Sequence, residues 1–240
     1  DYRLHMLRGD EVRRCGPRAR KIMGLGMAAF IMQFTNSVVS ISCNSVLAHV
    51  GGDLYVSIMT IINSARQMLE TPLLAVTEGT SPIMSYNYGA GRYKEVKDAI
   101  RIMVLLGLGY AGSIWILLCL FPQFFIGIFS SDKSILETAL PAFHLYFSTF
   151  IFMVFQHSGQ MVFKSLGKKN YAIFFSLLRK AFIVVPLTYL LPYVFHMGTN
   201  GVFAAEPVSN VLGGMACFVT MLLVVIPELN EAGHNEKRLK

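Results

Sequence analysis

Residues 78–95 read E-G-T-S-P-I-M-S-Y-N-Y-G-A-G-R-Y-K-E, a polar, glycine-rich break between two long apolar runs. A membrane helix is expected to end near Thr80–Pro82. A short aromatic segment follows, and Gly89-Ala90-Gly91 turns the chain. Arg92, Lys94 and Lys97 then mark the side of the membrane that the turn faces. The stretch lacks the lysine and the serine or threonine of a phosphate-binding loop. Its expected work is to end one helix and start the next.

The composition around this turn is that of a membrane protein. Hydrophobic residues make up 54% of 240, charged residues 15%, and the mean hydropathy is +0.52. A soluble domain carries about a quarter charged residues. The apolar runs predict helices over about 22–48, 54–80, 96–129, 135–165, 170–196 and 201–227. Each is long enough for a hydrocarbon core, which takes roughly 20 helical residues. The alternation of a membrane barrel strand is absent. The expected fold is all-α, a bundle of six transmembrane helices.

Lys and Arg fix the expected topology. Of the 21, seven lie in 1–21, four at 92–101, three at 164–169 and three at 237–240, whereas the connections at 49–53, 130–137 and 197–200 hold only Lys133. By the positive-inside rule both termini are expected in the cytoplasm of a multi-pass protein of the cell membrane. The net charge of +7 is accounted for by this topology and by anionic lipid, without a nucleic-acid partner. Residues 1–20 form a charged segment without a cleavable signal pattern. They are expected to be a cytoplasmic linker from something upstream. Residues 21–228 would be the helical lobe and 229–240 a cytoplasmic tail. Cys15, Cys43, Cys119 and Cys217 show no metal spacing, so no metal or cofactor is expected.

Polar side chains inside the membrane are costly and must face protein or water. Gln33, Asn36, Ser37, Ser40 and Asn44 share one face of the first helix, and Asn63, Arg66, Gln67 and Glu70 one face of the second. Arg66 and Glu70, four apart, can pair, and Arg66 lies about 20 Å along the helix from Asp53, near mid-membrane. Gln156 and Gln160 continue a stripe to Lys164 on the fourth helix, with His157 beside them. For any single such Ser or Asn, interhelical hydrogen bonding is the favoured explanation. Arg179 and Lys180 are expected by default to snorkel toward the cytoplasmic face, the sharper alternative being that they line a cytoplasmic vestibule. Gly213 and Gly214 are expected to serve close packing. Pro72, Pro186, Pro192 and Pro207 bend or break helices around the polar interior, an arrangement suited to alternating access.

At this point the residues carry a resemblance. Pro82-Ile-Met-Ser-Tyr-Asn-Tyr-Gly-Ala-Gly followed by a basic stretch resembles the multidrug and toxic compound extrusion (MATE) family. Ser165-Leu-Gly-Lys-Lys, Val185-Pro-Leu-Thr-Tyr-Leu-Leu-Pro and Gly201-Val-Phe-Ala-Ala-Glu-Pro-Val-Ser fit in order. The resemblance implies one lobe, the C-terminal one, of a pseudo-symmetric twelve-helix transporter whose N-terminal six-helix lobe is its partner. It implies export of small organic cations or drugs in exchange for protons or sodium. Gln33, Asn36, Asn63, Arg66, Glu70, Gln156 and Gln160 would then line half of the substrate cavity, with no catalytic residue. Where one branch of the family carries cation-binding carboxylates, this chain has neutral Asn36 and Gln156. A sodium site in this lobe is therefore not expected, and Glu70 is read as the single deep carboxylate.

Two further classes are weighed. A lipid-linked precursor flippase shares the two-lobe architecture but lines its cavity with several cations, against Arg66 alone here. An intramembrane enzyme could use His157-Ser158, but adjacent helical residues point about 100° apart and no nucleophile-elbow motif supports it. A preceding six-helix half in the gene would mark a fragment of a larger transporter, and a nearby start codon a half-size protein acting as a dimer.

Overall fold

The computed structural model describes residues 30, 33–130 and 132–239, without the side chains of 133 and 234–239. The expected linker at 1–20 and the start of the first helix lie outside the described residues. What is described is helical, with no strand among it. Helix α1 covers residues 33–51. It is followed by α2 (Asp53–Gly89), α3 (Tyr93–Leu120), α4 (Pro122–Gly127) and α5 (Lys133–Phe147). A 3-10 turn (Phe150–Phe152) leads into α6 (Met153–Ser165) and α7 (Lys169–Leu177). A π-helical segment (Leu178–Val184) then joins α7 to α8 (Val185–Tyr193), and α9 (Gly198–Leu239) closes the chain.

Among the described residues, four stretches are long and apolar enough to cross a membrane: Tyr93–Leu120, Ser134–Ser165, Lys169–Tyr193 and Gly198–Gly233. Their outer faces expose large apolar side chains, among them Leu106, Phe174, Phe182 and Leu223. Such a surface fits lipid rather than water. The chain is a helical membrane protein. Helix α2 is longer still, at 37 residues, but Asp53, Arg66, Glu70 and Glu78 make it the polar member of the bundle.

Several predicted elements differ in detail. Helix α2 does not stop at Thr80–Pro82 but continues through Pro82 to Gly89. A proline removes one backbone donor and leaves the rest of the ladder available. The expected helix over 96–129 breaks at Phe121, where Pro122 starts the short α4 at the position that proline favours. The helix over 135–165 is interrupted after Ser148 by the 3-10 turn. Helix α9 passes through Pro227 and continues to Leu239, into the segment expected as a tail.

The turn at 89–91 is a helix cap. Arg92 N–H donates to Asn87 O at 2.9 Å and Gly91 N–H to Tyr88 O at 3.2 Å, with Gly91 at φ 75°. This pair of bonds is a Schellman motif, which uses a left-handed residue to satisfy the last carbonyls. The α6–α7 connection repeats it: Lys168 N–H reaches Phe163 O, Gly167 N–H reaches Lys164 O, and Gly167 has φ 75°. Gly91→Ala is expected to destabilise the protein by about 1 kcal/mol, because the left-handed conformation is costly for an L-residue. Gly89→Ala, in helical conformation with open space around its Cβ, should cost nothing. Chemical unfolding midpoints in detergent measure both.

Two apolar clusters hold the bundle. One contains Leu47, Ile58, Ile62, Phe143, Val154 and Phe203. The other contains Met84, Val96, Met103, Phe163, Phe175 and Met221. Along α6 and α9 a polar layer separates them: His157 lies between Val154 and Met161, and Glu206, Ser209 and Asn210 lie between Ala205 and Cys217. That layer holds the site.

Candidate functional site

A cavity of about 540 Å³ opens between α1 and α2, with further wall from α5, the π segment and α9. Gln33, Asn36 and Ser40 of α1 face Asn63, Arg66, Gln67 and Glu70 of α2 across it, and Lys180 and Glu206 close the inner end. Helical spacing accounts for both stripes, since residues three, four and seven apart share a face. Val39, Met59, Leu74, Val184 and Val202 supply the apolar remainder.

Five charged side chains meet there. Arg66 Nε lies 3.1 Å from Glu70 Oε2, its Nη1 donates to Tyr146 Oη at 3.2 Å, and the same Nη1 is 3.1 Å from Glu206 Oε1. Arg179 Nη1 also reaches Glu206 Oε1 at 3.1 Å and donates to Asn210 Oδ1. Lys180 Nζ contributes the third cation to that oxygen, at 3.0 Å. On the far side of Glu70, His157 Nε2 sits 2.8 Å from Oε1. Glu206 is therefore the centre of the cluster, and Arg66 couples it to Glu70 and α2.

The backbone explains how two consecutive cations reach one carboxylate. On an α-helix Arg179 and Lys180 would point about 100° apart. They lie in the π-helical turn Leu178–Val184, whose wider winding brings both side chains toward α9. Pro186 follows, unable to donate to the carbonyl four residues earlier. Across from it, Gly213 lets α9 approach: a Cβ there would sit 2.9 Å from Arg179 Cγ. Close packing, as expected for Gly213, thus also seats a charged stem.

Three expectations need correction. Arg179 and Lys180 do not snorkel, being buried at 5% and 8% exposure against Glu206. Glu70 is not the single deep carboxylate, nor Arg66 the single deep cation, because Glu206 is 5% exposed within the same network. Gln156 and Gln160 do not line the cavity. Gln156 is buried against α9, where its backbone carbonyl accepts from Cys217 Sγ, and Gln160 Nε2 donates to Ala172 O at 3.4 Å. Their spacing does put them on one face of α6, but that face meets α9 and α7, and His157 is the residue turned toward α2. Gln33, Asn36, Asn63, Arg66 and Glu70 do share the cavity.

Glu206 escaped sequence reasoning although a signal was present. Once the terminal and loop cations are set aside, Arg66, Arg179 and Lys180 remain inside apolar runs, and buried cations demand partners. Glu206, Ser209, Asn210 and Gly213, at spacings of three, four and seven, mark the face of α9 that provides them. Ser158 is fully buried, with no hydrogen-bond partner for its Oγ among the described residues, and the neighbouring imidazole reaches Glu70. The pair is not arranged as nucleophile and base. Cys43 and Cys217 are buried free thiols and Cys119 an exposed one.

Comparison with known proteins places this geometry. A model of the MatE family matches residues 28–190. The chain is 24% identical over 208 residues to the FAD transporter of Shewanella oneidensis, covering 82% of this chain and 43% of that protein. It is 22% identical over 211 residues to the multidrug export protein MepA of Staphylococcus aureus, covering 85% and 44%. The chain thus spans less than half the length of these relatives. Among solved structures, a MATE protein in its bent conformation superposes with a TM-score of 0.81 at 16% identity, over 87% of this chain and 46% of that one. A Pyrococcus furiosus transporter of the MOP superfamily, described as having a binding pocket of reverse polarity, superposes at 0.79 with 17% identity over 85% and 46%. At these identities the superpositions establish a common fold.

Proposed function

The chain belongs to the MatE family, and from that premise we propose that it forms one six-helix lobe of a secondary transporter that exports a small organic solute by alternating access, in exchange for protons or sodium. The second lobe in this account is a further six-helix unit of the same transporter. Relatives named as transporter and exporter support a transport role rather than an enzymatic one. The reading rests chiefly on one observation: a polar cavity walled by α1 and α2, with an ionic network reaching it from three other elements. Intramembrane ionisable groups mark substrate or ion pathways. Both termini and the α2–α3 and α6–α7 turns face the cytoplasm in this account, where their basic residues belong.

Glu70 is the switchable contact in the proposal. It joins Arg66 on its own helix to His157 on α6, so its charge ties α2 to the body of the lobe. Removing that charge is expected to slow transport at least tenfold, the size of a lost coupling of about 1.4 kcal/mol. Efflux by Glu70→Gln of the full-length protein in proteoliposomes, at matched protein density, measures this. Unchanged efflux would remove Glu70 from the mechanism. Running the assay under separate proton and sodium gradients identifies the coupling ion. The relatives are named for different cargoes, FAD in one and drugs in the other, so family membership leaves the cargo to the cavity.

A further inference from the structure

We propose that the cavity wall supplied by this chain recognises an anionic group, a carboxylate or phosphate, on the transported solute. The inference rests on the transport reading above and deepens it. Among the described residues three cations, Arg66, Arg179 and Lys180, stand against two carboxylates, Glu70 and Glu206, a formal charge of +1. Both carboxylates are already committed. Glu206 holds three cations through one oxygen, and Glu70 is bonded by Arg66 through Oε2, with His157 Nε2 lying 2.8 Å from Oε1. Neither is left to neutralise an incoming cation.

The donors are the groups in surplus. A guanidinium has five N–H donors and an ammonium three. Among the described residues Arg66 spends its Nε and Nη1 on Glu70, Tyr146 and Glu206, which leaves Nη2. Lys180 gives one bond, to Glu206. Both side chains line the cavity, and a guanidinium edge beside an ammonium is suited to a planar or tetrahedral oxyanion. A net positive charge held in a low-dielectric surround is costly without a counter-ion, and a bound anion would supply one. The wall also lacks what an organic cation seeks. Tyr146 is its single aromatic side chain among the described residues, and it is 6% exposed with its hydroxyl already bonded to Arg66. Cation recognition draws on open aromatic faces or free carboxylates. The resemblance to drug exporters led to the expectation of cationic cargo, and the charges of this cavity oppose it.

The anionic group can come from a soluble metabolite or from a lipid headgroup. The test uses the full-length protein in proteoliposomes, with carboxyfluorescein as soluble anion, ethidium as soluble cation and a fluorescent phosphatidic acid as lipid anion. Carboxyfluorescein transport, or flipping of the labelled lipid, in preference to ethidium supports the inference and tells the two sources apart. Preference for ethidium overturns it while leaving the transport reading intact. Movement of none of the three overturns both. Asn63 lines the cavity one turn from Arg66 and allows the charge to be changed without breaking an ion pair. Asn63→Asp should lower the anion-to-cation rate ratio at least tenfold, and Asn63→Lys should raise it. A ratio unmoved by both variants overturns the inference even if the rates themselves fall.

Discussion

Glu206→Gln is expected to be the most damaging single change in the lobe, with a loss of about 3–5 kcal/mol in stability. That is the size seen when one partner of a buried ionic network is removed. Arg66, Arg179 and Lys180 all converge on Glu206 Oε1. Without its charge Arg66 keeps Glu70 and Arg179 keeps Asn210, while Lys180 keeps no charged partner among the described residues. The penalty should therefore fall mainly on Lys180. Lys180→Met in the Glu206→Gln background should recover part of the loss, whereas Lys180→Met alone should destabilise. A thermal or denaturant double-mutant cycle on the purified full-length protein reads the coupling directly. Additive effects of the two changes would show that Lys180 and Glu206 are not a pair.

The second large effect is steric. Gly201 opens the inner face of α9 against the end of α8, where an added Cβ would lie 2.8 Å from both Leu191 C and Pro192 N. Those are backbone atoms, so no side chain can swing aside. Gly201→Val should cost about 3 kcal/mol by overpacking. It should also lower the yield of folded protein, because α8 packs on α9, which carries Val202 and Glu206 to the cavity. Gly109→Val on α3 is the control: it is exposed, nothing lies within 4 Å of its Cβ, and valine is no poorer a helix former than glycine, so no loss is expected. Equal yields and melting temperatures for the two variants would contradict the close approach of α8 and α9.

Much of the bundle was legible because lipid leaves a strong imprint on sequence. Apolar runs of membrane length survive as helices, and the spacing of Asn63, Arg66 and Glu70 put them on the cavity face that the structure gives them. Interruptions were less visible. The 3-10 turn at Phe150–Phe152 and the π segment at Leu178–Val184 leave no change in hydropathy, since they alter the winding of an apolar run and not its composition. The π segment mattered most, because it turns Arg179 and Lys180 from surface residues into partners of Glu206. Gln156 and Gln160 show the complementary gap. Spacing tells which residues share a face, and only packing tells which neighbour that face meets. Here it meets α7 and α9. Glu206 was hidden for another reason: its neighbour Pro207 invited a reading in terms of helix bending, although the proline lies inside α9 and the carboxylate beside it faces the cations.

The central claim is that this charge network borders a water-filled, net-positive cavity. Thiol labelling in a cysteine-free background of the full-length protein tests it most directly. Asn63→Cys and Asn36→Cys, on facing walls, should react with membrane-impermeant methanethiosulfonates, and the anionic sulfonate reagent should gain on the cationic ammonium one relative to a free thiol. Gln156→Cys, packed against α9, and Leu223→Cys, on the lipid-facing surface, should stay unlabelled. Unreactive thiols at 36 and 63, or faster labelling there by the cationic reagent, would contradict the account.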